Sequence, residues 1–171
     1  MFAALGLLLL PLAARADSRE MQVVAVSTDI KAKPADVWNV VEKFDGLQAW
    51  HPAFPSTPLV KGKDGQVGAV RAVTVKDGPT FTEELLALND ADMAFTYGIV
   101  ESPLPIDHYL STMTVRPNAS GGATVVWTGN FVRKNPRDNV PAAESDAGAV
   151  KFITTAYAGG LENLKKMMES R

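Results

Sequence analysis

Two side chains of opposite charge, Arg71 and Glu83, fall on strand faces that are otherwise mainly apolar. Arg71 shares its face with Val73 and Val75, and Glu83 with Phe81, Leu85 and Ala87. A guanidinium and a carboxylate on facing strands either hold a fold together or, inside a cavity, polarise a carbonyl and move a proton. Their register turns on Asp77-Gly78 between the two segments. A strict two-residue hairpin loop there sets Arg71 opposite Glu84, whereas one bulged residue sets it opposite Glu83. Glu84 shares its face with Thr82, Leu86 and Leu88, and Glu83 is the partner we favour. The alternative is a pair that closes one end of the fold, or lies at the surface and contributes little.

His51 lies between Trp50 and Pro52 in "FDGLQAWHP". An imidazole near neutral pH donates or accepts a hydrogen bond, but a general base also needs an orienting partner and a substrate proton within reach. Neither Asp45 nor Ser56 nearby carries a nucleophile-elbow signature. Three readings stay open: a pocket rim, a structural corner packed on Trp50, or a catalytic group. Tyr97, Tyr109 and Trp127 recur on successive predicted strands, each with a large apolar body and one hydrogen-bonding tip. They suit a cavity wall or an aromatic core whose tips bond to backbone.

Other chemistries lack their residues. With no cysteine, histidines only at positions 51 and 108, and no His-Glu-x-x-His, neither a zinc site nor thiol catalysis is expected. "GKDGQVG" lacks the Lys-Ser/Thr ending of a phosphate loop and reads as a turn; Asp138, Glu144 and Asp146 form no calcium loop. No cofactor is expected.

These residues need elements to position them. "MQVVAVSTDI" reads as a first strand, and "KPADVWNVVEKF" as a helix with Pro34 at its start and Val37, Val40, Val41 and Phe44 at helical spacing. A second short helix is expected after Gly46, ending before Pro52, Pro55 and Pro58. "VGAVRAVTVK", "TFTEELLALN", "DMAFTYGIV", "HYLSTMTVRP" and "ATVVWTGNFV" follow as strands separated by turn signals. From Val150 the period changes: Ile153, Tyr157, Leu161, Leu164 and Met168 make one stripe along a long amphipathic helix. Gly159-Gly160 interrupts that helix at about 1 kcal/mol per glycine, so either sheet backbone or a ligand should fill the missing volume. The pattern is α+β, a curved sheet burying one face against the last helix.

Residues 1–16 of "MFAALGLLLLPLAARADS" read as a secretory signal, with Ala14-Arg15-Ala16 fitting the cleavage pattern and Asp17 as the mature start. Leu5 to Leu12 is too short for a membrane span of about 20 apolar residues. Residues 17–171 then form one domain, expected in the periplasm without stable membrane insertion. The formal charge of −2 becomes −3 when the segment carrying Arg15 is removed. That leaves no basic stripe for nucleic acid and no polybasic cluster for anionic lipid.

The blocks "IKAKPADVWNVVEKFDGLQAWHP", "VGAVRAVTV" with "EELLALND", "FTYGIVESPLPIDHYLSTMTVRP" and "VVWTGNF" occur in an order and spacing that resembles the START-like, Bet v 1-like (SRPBCC) superfamily, in its polyketide cyclase/dehydrase and lipid-transport branch. Export together with "SPLPIDHY" looks most like the MxaD-type proteins associated with bacterial methanol oxidation. The resemblance implies a helix-grip fold: a curved antiparallel sheet of about seven strands wrapped around the C-terminal helix, two short helices after the first strand, and an apolar cavity. It also implies that Glu84 is at a variable position and His51 near a cavity entrance. The expectation is a non-enzymatic binding or accessory protein for a small apolar molecule, lined by His51, Arg71, Glu83, Tyr97, Tyr109 and Trp127, with methanol dehydrogenase or its cytochrome c as possible partners. One alternative is a cyclase/dehydratase-like enzyme using Glu83 or His51 with Arg71. The other is a protein-interaction module with a filled core, its contacts made by loops such as residues 102–107.

Overall fold

The structure, a computed structural model, describes residues 19–170. The expected signal segment and its cleavage site lie outside the described residues. Seven antiparallel strands form one sheet: β1 (Gln22–Ile30), β2 (Leu59–Lys61), β3 (Val70–Thr74), β4 (Thr80–Asn89), β5 (Ala94–Glu101), β6 (Ile106–Pro117) and β7 (Ala123–Arg133). Their order is β1-β7-β6-β5-β4-β3-β2. Helix α1 (Pro34–Val41) and a short 3₁₀ helix (Phe44–Ala49) follow β1, and helix α2 (Asp146–Glu169) packs on β1 and β7. This is the α+β helix-grip architecture the sequence predicts. No helix among the described residues is long and apolar enough to cross a membrane.

Helix α2 starts one turn before the apolar stripe does, because Ser145 caps it: its Oγ accepts from the Gly148 N–H at 3.1 Å. Ala149, Ile153, Tyr157, Gly160, Leu161, Leu164 and Met168 are its buried face, the stripe read from the sequence extended by one turn. The second short helix begins at Phe44 rather than after Gly46 and is 3₁₀ rather than α. The Phe44 N–H finds the Asp64 carboxylate at 2.7 Å, and Gly46 N–H bonds back to Lys43 at 2.8 Å, which closes the tighter turn.

The register of β3 on β4 follows the bulged alternative, with Arg71 opposite Glu83. Val75 N–H bonds to the Pro79 carbonyl, so three residues turn the chain, and Asp77 takes the left-handed conformation at φ 56°. Farther along β4 a bulge between Leu85 and Ala87 resets the alternation. Ala87, expected on the inner face with Glu83, is therefore exposed, and Leu88 packs against the core instead. Strand β2 was not evident in the sequence, where Pro52, Pro55 and Pro58 argue against regular structure; its three residues follow Pro58 and pair with β3, and before them Ser56 makes a single bridge to Thr74.

Candidate ligand cavity

The three tyrosines of the chain, from three different elements, bring their hydroxyls to one place. Tyr157 of α2 lies 2.6 Å from the Tyr109 hydroxyl and 2.8 Å from Ser111 Oγ. Trp127 Nε1 donates to both Tyr97 Oη and Ser111 Oγ at 3.0 Å, and its ring stacks on Tyr157 at 4.2 Å between centroids. Gly129 makes this possible, since a Cβ there would stand 2.5 Å from the Tyr157 oxygen. Burial keeps all three phenols protonated: Tyr97 is pushed up to about 12, and Tyr109 and Tyr157 rise well above the usual value.

Around these tips the sheet and α2 leave a hollow of about 40 Å³. Tyr97, Tyr109, Trp127 and Tyr157 form one side, Glu83 supplies the charged group, and Phe54, Ile99 and the partly exposed Phe152 stand at the mouth. The volume holds a few waters or the tip of a ligand, against roughly 300–1,000 Å³ in ordinary small-molecule pockets. A larger depression of about 920 Å³ between Lys31, Lys33, Asp36 and Ser120 is open to solvent, and its charged side chains are all exposed. The inner hollow is the better candidate because it combines apolar walls with converging polar tips.

Four of the six residues singled out from the sequence, Glu83, Tyr97, Tyr109 and Trp127, share that wall; His51 and Arg71 stand behind it. Arg71 is 3% exposed and fully engaged: Nε and Nη2 reach Glu83 Oε2 at 2.8 and 2.6 Å, and Nη1 donates to the Phe44 carbonyl at 2.6 Å. Its guanidinium lies 4.2 Å from the Phe44 ring centroid and 5.0 Å from that of Tyr97, so aromatic faces cover it. Burial pushes the Glu83 carboxyl up and Arg71 opposes that shift. The Nε–H bond and the Nη2 ion-pair contact of a permanently charged arginine favour the carboxylate form against that burial.

His51 is also occupied at both nitrogens. The Ala53 N–H donates to Nδ1 at 3.2 Å, which places the proton on Nε2, and Nε2 donates to the Ala156 carbonyl at 2.9 Å. Burial, aided by Arg71, lowers its pKa to about 4. The imidazole fills the volume missing at Gly160, where a Cβ would come within 2.4 Å of His51 Cδ2 and 3.2 Å of Trp127. Neither sheet backbone nor a ligand is needed there, contrary to both sequence expectations. Trp50 packs edge-on to Trp127 at 5.6 Å. The corner is thus a buried clamp on α2.

Sequence reasoning missed Tyr157, Ser111 and Phe54. Tyr157 has the one hydroxyl on the apolar stripe of α2, and Ser111 follows Tyr109 by two residues on the same strand face, so both had a signal in the pattern. Phe54 had none, because its loop has no period.

Residues 21–169 match the family described as polyketide cyclase/dehydrase and lipid transport. The chain belongs to that family. The Arabidopsis thaliana abscisic acid receptor PYL10 is 35% identical over 143 residues, which cover 82% of this chain and 75% of the receptor. The XoxI protein of Bacillus cereus superposes with a TM-score of 0.72 at 28% identity, covering 85% of this chain and 94% of XoxI. A Thalictrum norcoclaurine synthase, solved with a transition-state analogue, shares the fold at TM-score 0.65 and 17% identity, over 88% of this chain and 96% of the synthase. The family and these Bet v 1-like neighbours place the chain in the SRPBCC superfamily of ligand-binding proteins. Among the described residues no cluster of three His, Asp or Glu could hold a metal ion.

Proposed function

We propose that this chain is an exported, non-enzymatic carrier or accessory protein that takes a small, mainly apolar molecule between α2 and the sheet. The observation that carries the reading is the hollow in which apolar walls meet the hydroxyls of Tyr97, Tyr109 and Tyr157. It is supported by membership of a ligand-binding family and by similarity to plant proteins named as receptors for a small molecule. The body of the ligand displaces Phe54, which is only half-buried and lies against His51 and Phe81. Export to the periplasm rests on the apolar segment at residues 1–16. Native mass spectrometry of protein purified from its own cells tests the reading: a co-purifying small molecule supports it, and bare protein that takes up no apolar compound contradicts it.

A narrower proposal is assistance to an exported methanol dehydrogenase or its cytochrome c. It rests on the resemblance of "SPLPIDHY" to MxaD-type proteins. Loss of methanol oxidation on deletion, together with capture of the dehydrogenase by the tagged protein, is the expected result.

One observation favours a second reading, catalysis of the cyclase or dehydratase kind: Glu83 lies on the cavity wall with its carboxyl pushed up. His51 offers no such support, since it does not line the hollow and both its nitrogens are taken by backbone groups. Titration of Glu83 by carbon NMR with a bound ligand separates the readings, because a carboxylate that stays ionised throughout cannot act as the acid.

A further inference from the structure

The hydroxyl chain at the cavity has a direction, and that direction fixes what it offers to a ligand. Ser111 Oγ lies 2.8 Å from the Thr128 carbonyl, a group that can only accept, so the single Ser111 proton goes there. Trp127 Nε1 can only donate. Ser111 Oγ therefore accepts from Trp127 and from Tyr157 at 2.8 Å, which commits the Tyr157 proton. Tyr109, 2.6 Å from the Tyr157 oxygen, must donate to it, which commits the Tyr109 proton. Tyr97 accepts from Trp127 and has its own proton left, but the neighbouring oxygen, Tyr109 Oη, is 3.4 Å away. Every link is short except this last one.

We propose that the Tyr97 hydroxyl is the polar anchor of the cavity, and that it selects an uncharged ligand carrying one oxygen acceptor, such as an alcohol, phenol or amide carbonyl, over carboxylates. This rests on the small-molecule reading above. A ligand oxygen near Tyr97 takes a proton that the protein barely uses, so binding breaks only the weakest bond of the chain. An alcohol gains a second contact by donating to the Tyr109 oxygen, which has a lone pair to spare.

Charge selection follows from the wall. Its charged side chain is Glu83, and among the described residues no lysine or arginine lines it. Arg71 cannot turn toward a ligand anion, because its three donor contacts are with Glu83 and the Phe44 carbonyl and rings cover its faces. An incoming carboxylate would lose its water beside another carboxylate with no free counter-charge. A ligand cation would have to share Glu83 with Arg71.

Four probes on one frame test this: naphthalene, 2-naphthol, 2-naphthamide and 2-naphthoate, titrated calorimetrically into the mature protein at pH 7. The naphthol and the amide should bind about three- to tenfold tighter than naphthalene, the range for one hydrogen bond. The naphthoate should bind weaker than the isosteric amide by about tenfold or more. Tyr97→Phe should bring the naphthol and amide to within about twofold of naphthalene. Trp127 keeps Ser111 as acceptor in that variant, and a thermal melt checks its fold. On the unaltered chain, tyrosine labelled at the carbon bearing the hydroxyl should show Tyr97 shifting with the amide while Tyr157 stays. Naphthoate binding as tightly as the amide, equal binding by all four, or a shift at Tyr157 alone would overturn the proposal and leave the cavity standing. No binding by any probe, naphthalene included, would remove the cavity reading itself.

Discussion

The two halves of α2 meet the same curved sheet with different results. Phe152, Ile153, Ala156 and Tyr157 border the hollow, whereas Leu161 and Leu164, equally well placed on the stripe, do not line it, and Met168 lines the open depression instead. The boundary is Gly160, into which His51 is wedged. In one half, apolar contact stabilises the fold without interruption. In the other, part of that contact is replaced by a hydrogen-bonded cluster of tyrosines, which tolerates empty space because its polar tips satisfy one another. A glycine and a neutral imidazole let one helix serve both purposes.

The largest effect should come from behind the hollow. Arg71→Met strands a buried carboxylate and should lower stability by about 3–5 kcal/mol in urea melts, with Arg71→Met/Glu83→Leu restoring most of the loss. If the single and double variants are equally unstable, the pair is not a closed unit. Next, Leu164→Ala and Ile153→Ala probe the two halves directly. Leu164 should cost in the upper part of about 2–5 kcal/mol, and Ile153, which already faces a void, distinctly less. Equal losses would erase the distinction.

The clamp at the boundary predicts a pH dependence. His51 is held neutral with a pKa of about 4, below its ordinary 6.5. Between those values the unfolded chain binds a proton that the folded chain does not, so stability is full above pH 6.5 and falls as pH drops toward 4. The loss is about 3 kcal/mol by linkage. His51→Gln should remove this part of the slope; an unchanged profile would assign it to carboxylates. The smallest effect is a gain. A Cβ at Gly159 meets nothing within 4 Å, so Gly159→Ala should stabilise by about 1 kcal/mol in thermal melts.

Much of this arrangement was legible in the chain. The period of α2 and the inward-facing Tyr97, Tyr109 and Trp127 follow from alternation and helical spacing, which are local rules; those rules left Glu83 and Glu84 as alternatives opposite Arg71, and the bulged turn decides for Glu83. The direction of error is also physical. A bulge in β4 turned Ala87 outward, and the fate of His51 and Arg71 depended on which backbone carbonyls lay beside them, something no periodicity encodes. The extent of the hollow depended on Phe54, from a loop without period, folding back over its mouth. Resemblance supplied the seventh strand and the cavity; the residues alone gave six strands, two short helices and a long one.

Methyl NMR during titration with 2-naphthamide tests the central claim most directly. The Ile99, Ile106 and Ile153 methyls, all on the wall of the hollow, should shift, while those of Leu164 and Met168 hold still. Shifts spread along the whole helix, or confined to exposed residues such as Val60 and Val67, would contradict it.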